Sequence, residues 1–140
     1  MNVINANGDG QVKQKVHDLL DVIGNLDTSP YSNRVLVILD KTHSPTLIPD
    51  LARTGLDKKN VIEWNKNGIE YYYPESILRE IFHDDSLTVG DLGMEQDRIT
   101  HNGIIKTKAE LSEAVLERMS GLEEFDPELE QLLKRVESLG

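Results

Sequence analysis

The chain contains no cysteine, which excludes disulfides, thiolate-bound zinc and cysteine nucleophiles and fits a cytoplasmic setting. It has no apolar run near the roughly 18 residues needed to cross a bilayer. Its opening, Met1 to Gly8, lacks the basic and apolar regions of a secretory leader. Neither a membrane location nor export is expected. Positive charge is scarce, with 15 Lys and Arg against 25 Asp and Glu and a net charge of -10. Such a surface repels phosphate backbones and counts against a protein that coats DNA. It still admits an enzyme that meets nucleic acid through hydrated Mg²⁺ or Mn²⁺, because carboxylates lining such a site add negative charge of their own. Aromatic residues are few, at 5%, so Tyr71, Tyr72 and Tyr73 are read as core material before base-stacking platforms.

What is present describes one folded domain: 140 residues, 38% hydrophobic and 29% charged. Asn2 to Ala6 reads as a short strand and Asn7-Gly8-Asp9-Gly10 as a turn. A helix with Val12, Val16, Leu19, Leu20 and Ile23 on one side follows and stops at Gly24. The unbroken run Val35 to Leu39 predicts a strand buried on both faces that ends at Asp40. Ser44-Pro45 opens a short helix to about Arg53, and Asn60 to Trp64 forms another strand. Gly68 to Pro74 leads into a helix with Ile77, Leu78, Ile81 and Phe82 inward. Glycines break up Asp84 to Ile105, which is read as loop with a short hairpin. Thr107-Lys108-Ala109-Glu110 has the spacing of a capping box and starts a helix through about Met119. A last helix begins at Asp126-Pro127, with Leu129, Leu132, Leu133 and Val136 on one face. The expected architecture is α/β, a mostly parallel sheet flanked by helices, with residues 1–122 as its body and residues 123–140 as a helix packed on the same domain.

Asp40 is the leading site candidate, because a carboxylate at the exit of a buried strand is offered to solvent on a rigid support. Lys41, Thr42 and His43 surround it with polar groups. The plainer alternative is that Asp40 caps the following turn. Glu70 is the second candidate, a lone charge between Ile69 and three tyrosines. If alternation holds there, Ile69 and Tyr71 face inward and Glu70 faces water. Asn5-x-Asn7-x-Asp9-Gly10 resembles the front of a calcium loop but has Val16 where a bidentate glutamate is needed. The same turn lacks the Gly-Lys-Ser/Thr ending of a P-loop. His17, His83 and His101 are read as exposed, and His43 alone has a suggestive position.

Three segments in order carry a family resemblance: Val35 to Thr42, Ile69-Glu70-Tyr71-Tyr72-Tyr73-Pro74, and Ile104 to Leu111. Together they resemble the later part of a topoisomerase-primase (Toprim) domain of the overcoming-lysogenization-defect nuclease type. The resemblance implies a Toprim-like fold and a metal-dependent DNA endonuclease. Asp40 then takes the first place of an Asp-x-Asp pair and Glu70 the acidic place before the tyrosine, both as metal ligands with Mg²⁺ or Mn²⁺. Lys106 or Lys108 takes the place of a lysine facing phosphate or transition-state charge. Thr42 stands where the second aspartate belongs, and the chain is expected to begin at the family's second strand. A second expectation follows from those departures: a non-catalytic module whose exposed sheet edge takes a protein partner or another copy of the chain.

Overall fold

The computed structural model describes residues 4–6 and 8–139. It distinguishes two compact units, Met1–Asn67 with Arg135–Gly140, and Gly68–Lys134. Among the described residues no helix is long and apolar enough to cross a membrane.

In the first unit, helix α1 (Asp9–Ile23) starts after Gly8 and ends at Gly24, whose φ of 77° lets its N–H return to the carbonyl of Leu20. Residues 4–6 are not a strand, and the rest of the strand expected at Asn2 to Ala6 lies outside the described residues. The β-branched run condenses to strand β1 (Val37–Leu39), followed by helix α2 (Leu47–Ala52) and strand β2 (Val61–Glu63). β1 and β2 pair in parallel, Val37 with Val61 and Leu39 with Glu63, as a helical crossover between strands allows. Val37 and Leu39 are buried while Ile38 is 40% exposed, so β1 alternates and is not buried on both faces as expected. Val16, Leu26, Leu47, Leu51 and Leu56 complete this core.

In the second unit a 3-10 helix (Ile69–Tyr72) precedes helix α3 (Glu75–Phe82), then strands β3 (Gly93–Glu95), β4 (Arg98–His101) and β5 (Ile104–Thr107), and helix α4 (Lys108–Arg118). The three strands form an antiparallel meander, so the described strands are not the mostly parallel sheet expected. The reason is local: Asn102 and Gly103, with φ of 50° and 75°, make the two-residue Asn-Gly turn that favours a hairpin. Ile77, Leu78, Ile81 and Phe82 pack with Ile99, Leu111 and Val115. Helix α5 (Pro127–Glu137) buries Leu132 but leaves Leu133 44% exposed, so Leu133 does not join the inward face.

The capping box at α4 is complete. Glu110 N–H donates to Thr107 Oγ1 at 3.2 Å, and Thr107 N–H donates to Glu110 Oε2 at 2.8 Å. Thr107→Ala should therefore cost about 1 kcal/mol of stability, read as a lower denaturation midpoint, while Thr107→Ser should cost much less.

The hairpin tip clamps the end of α3. Asn102 Nδ2 donates to the carbonyls of Phe82 and His83 at 3.1 and 3.2 Å, capping the C-terminal carbonyls of the helix. His101 was expected in solvent, but its side chain is 17% exposed, sits 2.8 Å from Asp84 Oδ2 and meets Phe82 edge-on. The hydrogen bond to Asp84 raises the His101 pKa above 6.5. Hydrogen bonds from Ser86, and then from His101, lower Asp84 from 3.8 to about 2. A raised histidine contributes stability that is full below 6.5 and fades as pH rises through the folded value, and a lowered aspartate contributes stability that fades as pH falls through about 2. Amide exchange in α3 and β4 should thus be better protected at mildly acidic than at mildly alkaline pH. His101→Gln should flatten that difference.

Candidate functional site

The first unit gathers its polar groups at the carboxyl ends of β1 and β2. Asp40 directly follows β1 and is exposed. The turn after it takes its hydrogen bonds elsewhere: Lys41 N–H donates to the Lys66 carbonyl at 3.2 Å and Thr42 N–H to Asn67 Oδ1 at 2.9 Å. Asp40 does not cap the turn, and its carboxylate has no partner among the described residues. His43 Nε2 lies 2.9 Å from Glu63 Oε2, and its Nδ1 lies 3.2 Å from the Ser44 carbonyl. These contacts, the backbone one foremost, raise the His43 pKa. Ser44 N–H donates to Asp9 Oδ2 at 2.5 Å. Glu63 was missed in the sequence, although it ends its strand one position before the place that drew attention to Asp40.

The second unit holds Glu70 in a different environment. It is 5% exposed, and Tyr72 is 2% exposed, while Ile69 is 39% exposed. The expected alternation is therefore inverted. Burial still alternates along this segment, with Glu70 and Tyr72 inside and Ile69 outside. Burying a carboxylate demands compensation. Here Lys108 Nζ lies 3.2 Å from Glu70 Oε1. Glu70 Oε2 is buried without a hydrogen-bond donor, leaving a free acceptor inside the site. Lys108 opens α4, where a cation opposes the helix dipole, so its place is explained by its partner rather than by its helix.

Gly68 has φ of 113°, and a Cβ there would lie 2.3 Å from Glu70 Oε2. The backbone favours glycine there, and a Cβ would also make the Glu70 carboxylate move. Tyr73 lies near Ser112 and faces the charges of Glu70 and Lys108, and burial pushes its pKa up. Lys106 is instead opposite Ile99 in the β4–β5 ladder. Of the two lysines nominated from sequence, Lys108 is the one beside Glu70. Ser112 was not anticipated, and only its spacing of one helical turn from Lys108 could have suggested it.

Asp40 belongs to one unit, and Glu70, Lys106 and Lys108 to the other. Among the described residues no three histidine, aspartate or glutamate side chains come together as a group able to hold a metal ion. Comparison with protein-family models, with curated proteins and with solved structures finds no match to this chain.

Proposed function

We propose that the chain is a Toprim-like portion of a divalent-metal-dependent DNA endonuclease, of the overcoming-lysogenization-defect type. The observation that carries this reading is the meeting of Glu70 with Lys108 across 38 residues of sequence at 3.2 Å. The resemblance nominates Glu70 and either Lys106 or Lys108, and no local pattern brings Glu70 and Lys108 together. The unpartnered Asp40 carboxylate at a strand end adds support.

Asp40 and Glu70 lie in different units, and each is weighed separately as a carboxylate ligand for Mg²⁺ or Mn²⁺. Mg²⁺ is commonly held by one or two carboxylates, with water and substrate phosphate completing its shell. Asp40 offers an open carboxylate, and Glu70 offers the free oxygen Oε2. Bound metal supplies acidified water and polarised phosphate oxygens. Asp40 is assigned as a metal ligand, Glu70 as a ligand or a group orienting water, and Lys108 as the cation that stabilises charge on phosphate.

Thr42 favours a second reading. Its N–H is engaged by Asn67, and its side chain brings a hydroxyl where a second carboxylate is wanted. A non-catalytic module would then use its open sheet, where Ile38 is 40% exposed, to take a protein partner or another copy. Mn²⁺ titration followed by NMR separates the two. The nuclease reading expects saturable paramagnetic broadening centred on Asp40 and lost in Asp40→Asn. Absence of selective broadening in the parent protein leaves the binding module.

A further inference from the structure

In a chain of net charge -10, three cations gather at one cleft of the described residues. Within the unit Met1–Asn67 with Arg135–Gly140, a cleft of about 580 Å³ is lined by Asn33, Arg34, Lys59, Arg135, Ser138 and Leu139. That volume is within the range of small-ligand sites, about 300–1,000 Å³. Three cations line it. Lys59 Nζ is paired with the Asp57 carboxylate at 3.0 Å, which also feels the charge of Arg135.

Arg135 is held in place from below. Its Nη2 donates to Asn60 Oδ1 at 2.8 Å, and Asn60 is fully buried and donates through Nδ2 to the Ser32 carbonyl at 2.8 Å. Its Nη1 lies 3.5 Å from Ser138 Oγ. A guanidinium fixed in this way loses little freedom on binding. The Arg34 side chain is exposed and has no partner among the described residues.

A structural explanation covers only part of the cluster. A cation in the last turn of a helix complements its dipole, which accounts for Arg135 at the end of α5. Arg34 comes from the loop before β1, and Lys59 from the 3-10 helix Lys58–Asn60. Nothing about the end of α5 requires either of them. No aromatic side chain lines the cleft, so it offers no platform for stacking a base. Guanidinium forks match phosphate oxygens, and the amide of Asn33 is a neutral donor, while the Ser138 hydroxyl already donates to the Arg135 carbonyl at 2.6 Å.

We propose that this cleft binds phosphate groups, with Arg135 and Arg34 as the clamps and Lys59 as the third cation. The inference does not rest on the nuclease reading. The shared chemistry is a run of phosphate oxygens, supplied either by a nucleic-acid strand or by a free polyphosphate.

The test is titration of the isotope-labelled full chain with pyrophosphate and, separately, with a short single-stranded DNA, using Arg34→Gln and the Arg34→Gln, Lys59→Gln pair as variants. Both positions are exposed, so the variants should keep the parent's spectrum elsewhere. Saturable shifts at Arg34, Lys59 and Ser138 are expected, with affinity falling on the order of tenfold in Arg34→Gln, as for one lost charge-assisted hydrogen bond. Binding of pyrophosphate alone identifies free polyphosphate as the source, and binding of DNA alone or of both identifies the strand backbone. Unsaturable shifts scattered over the surface, or equal affinity in the double variant, overturn the proposal.

Discussion

Lys108→Met is expected to destabilise the Gly68–Lys134 unit by about 3 kcal/mol, the lower end for a buried ion pair broken from one side. The cost arises from what is left behind. Glu70 is 5% exposed with one oxygen already lacking a donor, and without Lys108 its charge has no cation within 3.2 Å or any other described salt-bridge distance. The lower end applies because the Lys108 side chain is 39% exposed, so water already screens part of the interaction. The effect should depend on the charge of residue 70. In a Glu70→Gln background, Lys108→Met should cost less than about 1 kcal/mol, because no buried ion is stranded. Amide exchange in α3 and β4 measures this within the unit, where a single global midpoint for two compact units would blur it. Equal costs in the two backgrounds would show that Lys108 acts through packing of its alkyl stem.

Gly68→Ala is expected to cost a similar amount, about 3 kcal/mol, from two sources. A φ of 113° with ψ of 155° is a region essentially reserved for glycine, and forcing another residue there costs about 1–3 kcal/mol. The new methyl would also lie 2.3 Å from Glu70 Oε2 and push that carboxylate off Lys108. The second part is removable. In Glu70→Ala the obstructing side chain is gone, so Gly68→Ala should then cost only the backbone share, and the two substitutions should be non-additive by about 1–2 kcal/mol. Simple additivity in a denaturation series would mean that Gly68 serves the backbone alone. The result matters for function because displacement of Glu70 would disturb the one acid–lysine pair in which the nuclease reading is grounded.

Local signals translated well into structure. The capping box at Thr107 and Glu110, the stop at Gly24 and the inward face Ile77, Leu78, Ile81 and Phe82 depend on residues a turn apart, and each is in place. Asp40 was legible for the same reason, since one apolar run fixes where its strand ends. The short hairpin expected within Asp84 to Ile105 is there at the Asn102-Gly103 turn, but glycines at 90, 93 and 103 mask strands as short as Gly93–Glu95, so its third strand was not read. The antiparallel meander was lost with it. Glu70 was weighed both as a charge reaching a partner or metal and as one facing water, and its burial against Lys108 was not legible because that residue lies 38 positions away. His101 was misplaced because its partner, Asp84, is 17 residues away, and no periodicity links a hairpin tip to the end of a helix. The choice between Lys106 and Lys108 was beyond the sequence for a related reason: both are polar and near a helix start, and only the tertiary fold puts Nζ of one beside a buried carboxylate.

The measurement that bears most directly on the proposed activity is cleavage of plasmid and linear DNA in Mg²⁺ and in Mn²⁺ by the parent chain, Asp40→Ala and Glu70→Gln, each first shown to be folded. The nuclease reading predicts metal-dependent cutting by the parent and its loss in both variants, with Asp40→Ala retaining native amide protection because its carboxylate supports no described contact. A folded parent that binds no metal and cuts neither substrate, or cutting that survives unchanged in both variants, would contradict it.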